Sequence, residues 1–173
     1  SGNNGGDALA VARLLHHRGV VGISVFLAGA PEKLSASAAH QLKILEKLGL
    51  SSKPLDTLES ALQHCDWVVD GIFGTGLSRP VDGANRKLIQ TINAITERKW
   101  VVSVDLPSGL CANTGTALGA AVKASETVTL GFFKRGLVTG EAADYTGRVW
   151  LSPIQIPRSI PGVSPSAFLF LSK

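Results

Sequence analysis

The 173-residue chain has no methionine, one tyrosine and two cysteines, and only 6% of its residues are aromatic. Cys65 and Cys111 are too few and too far apart for a disulfide scaffold, and they stand outside any metal-ligand spacing, so they read as reduced thiols. No apolar run approaches the length of a membrane-spanning helix, and nothing at the front has the pattern of a signal peptide. The basic residues gather no further than pairs, at Arg86-Lys87, Arg98-Lys99 and Lys134-Arg135. Without a basic run interleaved with aromatics there is no nucleic-acid track. His16, His17, His40 and His64 fall in helix-like stretches, and no Ser-His-Asp arrangement can be assembled from them. The missing methionine carries a different expectation. A chain that opens at Ser1 lacks an initiator, so material upstream of it is expected to have been removed.

What is present suits one folded domain. The chain is 45% hydrophobic and 17% charged, with a net charge of +4. That is too apolar and too weakly charged for general disorder, and the length allows a sizeable core. Helix-like and strand-like stretches alternate. Leu9, Val11, Ala12, Leu14 and Leu15 recur at helical spacing up to Gly19. Gly22 to Leu27 reads as a buried strand. Ser35 is placed to cap a helix carrying Ala38, Ala39, Leu42, Leu45 and Leu48, which Gly49 closes. A short helix over Thr57 to Gln63 leads to a strand at Trp67 to Val69. A longer helix bears Leu88, Ile89, Ile92 and Ile95, and further strands are predicted at Trp100–Val104, Thr127–Leu130 and Arg148–Leu151. Such alternation predicts an α/β fold with a mostly parallel sheet. The domain is expected to span 1–157. Residues 158–173 would be its end or a linker, with Phe168 to Leu171 either a last strand or the start of something further.

Ligands of open parallel sheets collect beyond the carboxyl ends of the strands, and three polar loops fall at such places. The first is Gly2-Asn3-Asn4-Gly5-Gly6-Asp7, running into a helix whose free N–H groups suit an anion. A plainer role is available, with Asp7 capping the helix and the glycines forming a turn. The second is Asp70-Gly71-Ile72-Phe73-Gly74-Thr75-Gly76-Leu77-Ser78-Arg79-Pro80, an acid at a strand end followed by small residues able to nest around phosphate. The third is Asp105-Leu106-Pro107-Ser108-Gly109, again with an acid at a strand end. Together they offer carboxylate, amide, hydroxyl and backbone oxygens, a hard donor set suited to an alkali or alkaline-earth cation.

These three loops resemble the N-terminal YjeF-type domain of NAD(P)H-hydrate epimerases. So do Lys123-Ala124, Thr127-Val128-Thr129, Phe133-Lys134-Arg135-Gly136-Leu137 and Tyr145-Thr146-Gly147-Arg148-Val149, from Gly2 to about Pro157. The resemblance implies a three-layer α/β/α sandwich, Rossmann-like, with epimerase activity on the R and S forms of hydrated NADH and NADPH. It implies substrate contacts at Asn3, Asn4, Gly5, Gly6 and Asp7, at Gly74, Thr75, Gly76, Leu77, Ser78, Arg79 and Pro80, and at Asp105. A potassium ion would be held by Asn4, Asp70 and Ser108. Asp105 is expected to be the acid/base, with Lys134 a phosphate or active-site partner. The implied partner is an NAD(P)H-hydrate dehydratase, fused C-terminally or separate, in a cytoplasmic, bacterial setting. A homo-oligomer is left open, and neither a membrane nor a nucleic acid is expected.

Two departures from the family pattern stand out. Ala8 occupies a position where family members commonly carry glycine, and the family's upstream helices and loop-delivering strand are expected to be missing from this chain. The chain is therefore expected to be less stable than an extended version. Two other functions compete with the epimerase. Retention of Asp7, Asp70 and Asp105 weighs against an inactive scaffold. The absence of an acid in Leu27-Ala28-Gly29, together with the glycine spacing, weighs against a dinucleotide-dependent oxidoreductase.

Overall fold

A computed structural model describes residues 2–96 and 98–156. The chain begins with helix α1 (Asn3–His17), strand β1 (Val25–Phe26), helix α2 (Ala36–Lys47), strand β2 (Ser52–Lys53) and helix α3 (Leu58–His64). It continues with β3 (Trp67–Asp70), α4 (Gly83–Asn93), β4 (Trp100–Val104), β5 (Glu126–Leu130), α5 (Ala143–Thr146) and β6 (Arg148–Ser152). The strands form two sheets, β1-β2 and β3-β4-β5-β6, parallel at every pairing. This is the α/β organisation with parallel strands expected from the alternation of elements, and it agrees with the Rossmann-like fold that the family resemblance implies. No helix among the described residues is long and apolar enough to cross a membrane.

Three local expectations need correction. The glycine-rich opening is not a loop, because Asn3 to Asp7 form the first turns of α1. Nor does Asp7 cap that helix, since Gly2 stands at the N-cap and no side chain satisfies it. Glycine in a helix costs about 1 kcal/mol relative to alanine, and tertiary packing overrides that cost here. A Cβ on Gly6 would lie 3.3 Å from the Ala38 backbone, so the missing side chain is what lets α1 and α2 close on each other. Finally, the strand expected over Gly22 to Leu27 shrinks to Val25–Phe26, paired with a short β2 the hydrophobic pattern did not show. Ile23 and Leu27 keep their apolar role without strand pairing, packing against Leu9, Ala38, Leu42 and Leu45.

The remaining elements follow the sequence closely. Ser35 caps α2, its Oγ accepting from the Ala38 N–H at 3.3 Å, and α3 lies one residue downstream of its expected position. The segment from Phe168 to Leu171 lies outside the described residues, as does the proposed boundary after 157.

Alternation along the strands divides the larger sheet into two unlike faces. On one, Val68, Val101, Ser103, Thr127 and Thr129 point into the molecule; α4 packs there through Ile89 and Ile92 with Val81 and Val122. The other carries Trp67, Val69, Trp100 and Trp150, all exposed. The Trp67 and Trp100 rings stand 6.4 Å apart, in register across β3 and β4.

Candidate functional site

Parallel pairing sets β3 and β4 so that Asp70 lies beside Ser103, and both strands then run out at the same edge. Asp70 is 1% exposed and takes four hydrogen bonds. The Ser103 hydroxyl and the Ser108 N–H each donate to Oδ2 at 2.8 Å. The Ser108 hydroxyl donates to Oδ1 at 2.5 Å, and the Ile72 N–H reaches the same oxygen at 3.2 Å. Burial pushes this carboxyl above the ordinary aspartate range, and the four donors pull it part of the way back. Asp70 thus ties the end of its own strand to β4 and to the turn after β4. Ser103 was not singled out from the sequence, although a hydroxyl at an inward position of the strand Trp-Val-Val-Ser-Val was the available signal.

Helix α1 enters this junction through Asn4. Its side chain is buried, and Nδ2 donates to the Phe73 carbonyl at 2.6 Å. The Phe73 N–H in turn donates to Ser108 Oγ at 2.8 Å. Asn4 Oδ1 is buried without a hydrogen-bond partner. The helix gets this close because residue 71 has no side chain. A Cβ there would stand 2.5 Å from the Ala8 methyl and 3.0 Å from the Asn4 carbonyl oxygen. Ala8 is helical, so its methyl faces Gly71 and does not crowd a loop. The first glycines of the second loop, Gly71 and Gly74, therefore make room for the helix.

Asp105, just past β4, has φ of 67°, the left-handed region that a non-glycine residue occupies at a cost. Its N–H bonds to the Val128 carbonyl at 2.8 Å. Oδ1 accepts from the Leu130 N–H at 2.9 Å, from the Thr129 hydroxyl at 3.2 Å and from the Lys134 ammonium. Lys134 spends its other donors on the Leu130 carbonyl at 2.7 Å and on Thr129 Oγ1 at 3.2 Å. Lys134 is therefore a partner of Asp105, with no proton of its ammonium left over for a phosphate. Thr129 was read from the sequence only as part of a family motif, and its role here was missed; the signal was a pair of threonines at alternate positions of an apolar strand, both of which prove to be fully buried.

Asp7, one turn beyond Asn4 on the same helix face, is exposed at the helix surface. Partial burial raises its carboxyl, and the charge of Asp105 raises it further. In the second loop Thr75, Gly76, Ser78, Arg79 and Pro80 are exposed, whereas Leu77 turns inward against the α4 core. The structure therefore gathers Asn4, Asp7, Asp70, Asp105, Ser108 and Lys134 at one edge. Among the described residues no three His, Cys, Asp or Glu side chains cluster as a metal site. A hard-oxygen site of the kind expected here would need amide and hydroxyl oxygens beside a single carboxylate.

Comparison with known proteins bears on this edge. The model of the YjeF-related protein N-terminus matches residues 1–136. A bifunctional NAD(P)H-hydrate repair enzyme, Nnr, of Thermofilum pendens is 40% identical over 92% of this chain and 31% of its own. An NAD(P)H-hydrate epimerase of Limosilactobacillus fermentum is 41% identical over 86% of this chain and 68% of its own. The chain thus spans 31% of the first relative and 68% of the second. The crystal structure of yeast ynu0 superposes with a TM-score of 0.74 at 21% identity, over 90% of this chain and 64% of that one. That last likeness speaks for the fold.

Proposed function

The chain belongs to the YjeF-related N-terminal family, and from that premise we propose that it interconverts the R and S forms of hydrated NADH and NADPH. Asp105 is the observation that carries this reading. One of its oxygens is fixed by three donors, while Oδ2 takes no hydrogen bond among the described residues. An anchored carboxylate with one open oxygen at the end of a strand is equipped to move a proton to and from a hydroxyl. The epimerised carbon bears both the hydroxyl and the ring nitrogen. The nitrogen lone pair expels the hydroxyl as Asp105 manages its proton, and the resulting iminium takes up water on the other face. No C–H bond has to break. The largely exposed stretch from Thr75 to Pro80 and the start of α1 would bind the dinucleotide, Arg79 and the helix N–H groups suiting its phosphates. Incubating the chain with the R form and following the S form by chromatography should show epimer exchange faster than in buffer. Equal rates would remove the proposal.

The residues at the α1 junction also fit a potassium ion. Asn4 Oδ1 is an orphaned buried oxygen, Asp70 is a buried carboxylate with no cationic side chain beside it among the described residues, and Ser108 adds a hydroxyl. Such an ion supplies positive charge that offsets the burial of Asp70; the proton chemistry stays with Asp105. Potassium should therefore raise the unfolding temperature more than lithium at equal ionic strength, and Asn4→Ala should abolish the difference, as mass action on a folded-state site requires. The product epimer would pass to a dehydratase, on the same polypeptide or apart from it, and the reading fits a cytoplasmic protein.

A further inference from the structure

We propose that Asp7 is the second acid/base of the epimerisation, working on the opposite side of the substrate from Asp105. The proposal rests on the epimerase reading and extends it. Exchange of R for S means that water leaves one face of the ring and returns to the other. A single carboxylate fixed at Oδ1 by Lys134, Thr129 and Leu130 cannot follow the oxygen from face to face. Another group must serve the far side.

The geometry offers Asp7. It sits on α1 while Asp105 sits at the end of β4, so the two carboxyls approach from different elements. Asn4, one turn earlier on the same helix face, is pinned to Phe73, and Phe73 is pinned to Ser108 in the same turn as Asp105. That chain of contacts fixes the helix against the Asp105 turn. Asp7 makes no side-chain hydrogen bond among the described residues, so its carboxyl is not committed to structure. Partial burial raises the Asp7 carboxyl above the ordinary aspartate range, and the negative charge of Asp105 raises it further. Two carboxyls brought to one edge from different elements, in unlike surroundings, can divide the roles of acid and base between them.

The steps balance without an added reactant. The protonated carboxyl gives its proton to the departing hydroxyl, the C–O bond breaks to release water, and the nitrogen lone pair forms the C=N bond of the iminium. Water then attacks the opposite face, the other carboxylate accepts its proton, and the electron pair returns to nitrogen. One turnover leaves the proton on the other carboxyl, ready for the reverse reaction or for return through solvent.

The test compares Asp7→Asn and Asp7→Ala with the unaltered 173-residue chain, reading kcat, KM and the carboxyl titration of Asp7 by NMR. Loss of kcat by about 10²–10⁴-fold in both variants, with KM little changed, is expected. In Asp105→Asn the Asp7 titration should move to lower pH. Variants that raise KM and keep kcat would make Asp7 a binding residue and overturn the proposal while leaving the epimerase reading intact. Absence of exchange in the unaltered chain would defeat both readings. An Asp7 titration unmoved in Asp105→Asn would overturn the coupling on its own.

Discussion

At the scale of single residues, Asp105 holds a backbone angle that costs about 1 kcal/mol or more, and its surroundings explain how it is kept. Its N–H is fixed to β5 through Val128, its carboxylate to Leu130 and Thr129, and Lys134 is drawn across the end of the strand to meet it. Lys134→Met should lower kcat about 10²-fold and cost about 1–2 kcal/mol of stability by denaturant unfolding. A variant that keeps wild-type kcat would confine Lys134 to a structural role. Asp105 and Asp70 could be read from the sequence because each is an acid closing an apolar strand. Ser103 and Thr129 offered only a hydroxyl on the inward face of a strand; the partners of those hydroxyls depend on which strands become neighbours, and a linear pattern does not carry that.

At the scale of elements, the sequence showed the long periodic helices and the apolar strands but misplaced the start of α1. Local rules favour a loop at Asn3-Asn4-Gly5-Gly6. The contacts of the glycines with Ala38 and with the second loop reverse that preference. The short β2 was missed for a related reason, since two residues carry no periodicity at all. The fit between α1 and the loop after β3 rests on the Ala8 methyl facing Gly71, and it can be measured. Gly71→Ala should cost about 1–3 kcal/mol through overpacking. Ala8→Gly alone should cost about 1 kcal/mol through helix propensity. Combined, they should lose less than the sum, because removing the methyl makes room for the new one. Additivity within about 0.5 kcal/mol would mean that the two positions do not touch. Gly109 marks the opposite case. Its φ is 97° and a Cβ would stand 1.9 Å from the Ala120 carbonyl oxygen, so Gly109→Ala has no compensating partner.

At the scale of the whole molecule, the larger sheet is dressed on one side by α4 and the loops and presents exposed tryptophans on the other. Replacing Trp67 and Trp100 together with lysine should cost no more than about 1 kcal/mol, the worth of an aromatic pair. It should also sharply reduce binding of a hydrophobic dye. Unchanged dye binding would place the apolar surface elsewhere. The site edge behaves differently, because it cannot be divided. Asp70 is shared among the loop after β3, the interior of β4 and the turn after it, with α1 linked through Phe73. Loops on most parallel sheets can be exchanged one at a time for new specificities. Here a transplant of residues 70–80 without 105–109, or the reverse, would bring half of a joint. New substrate preferences should therefore arise at the free stretch from Thr75 to Pro80, and the rest of this edge should be inherited as one block.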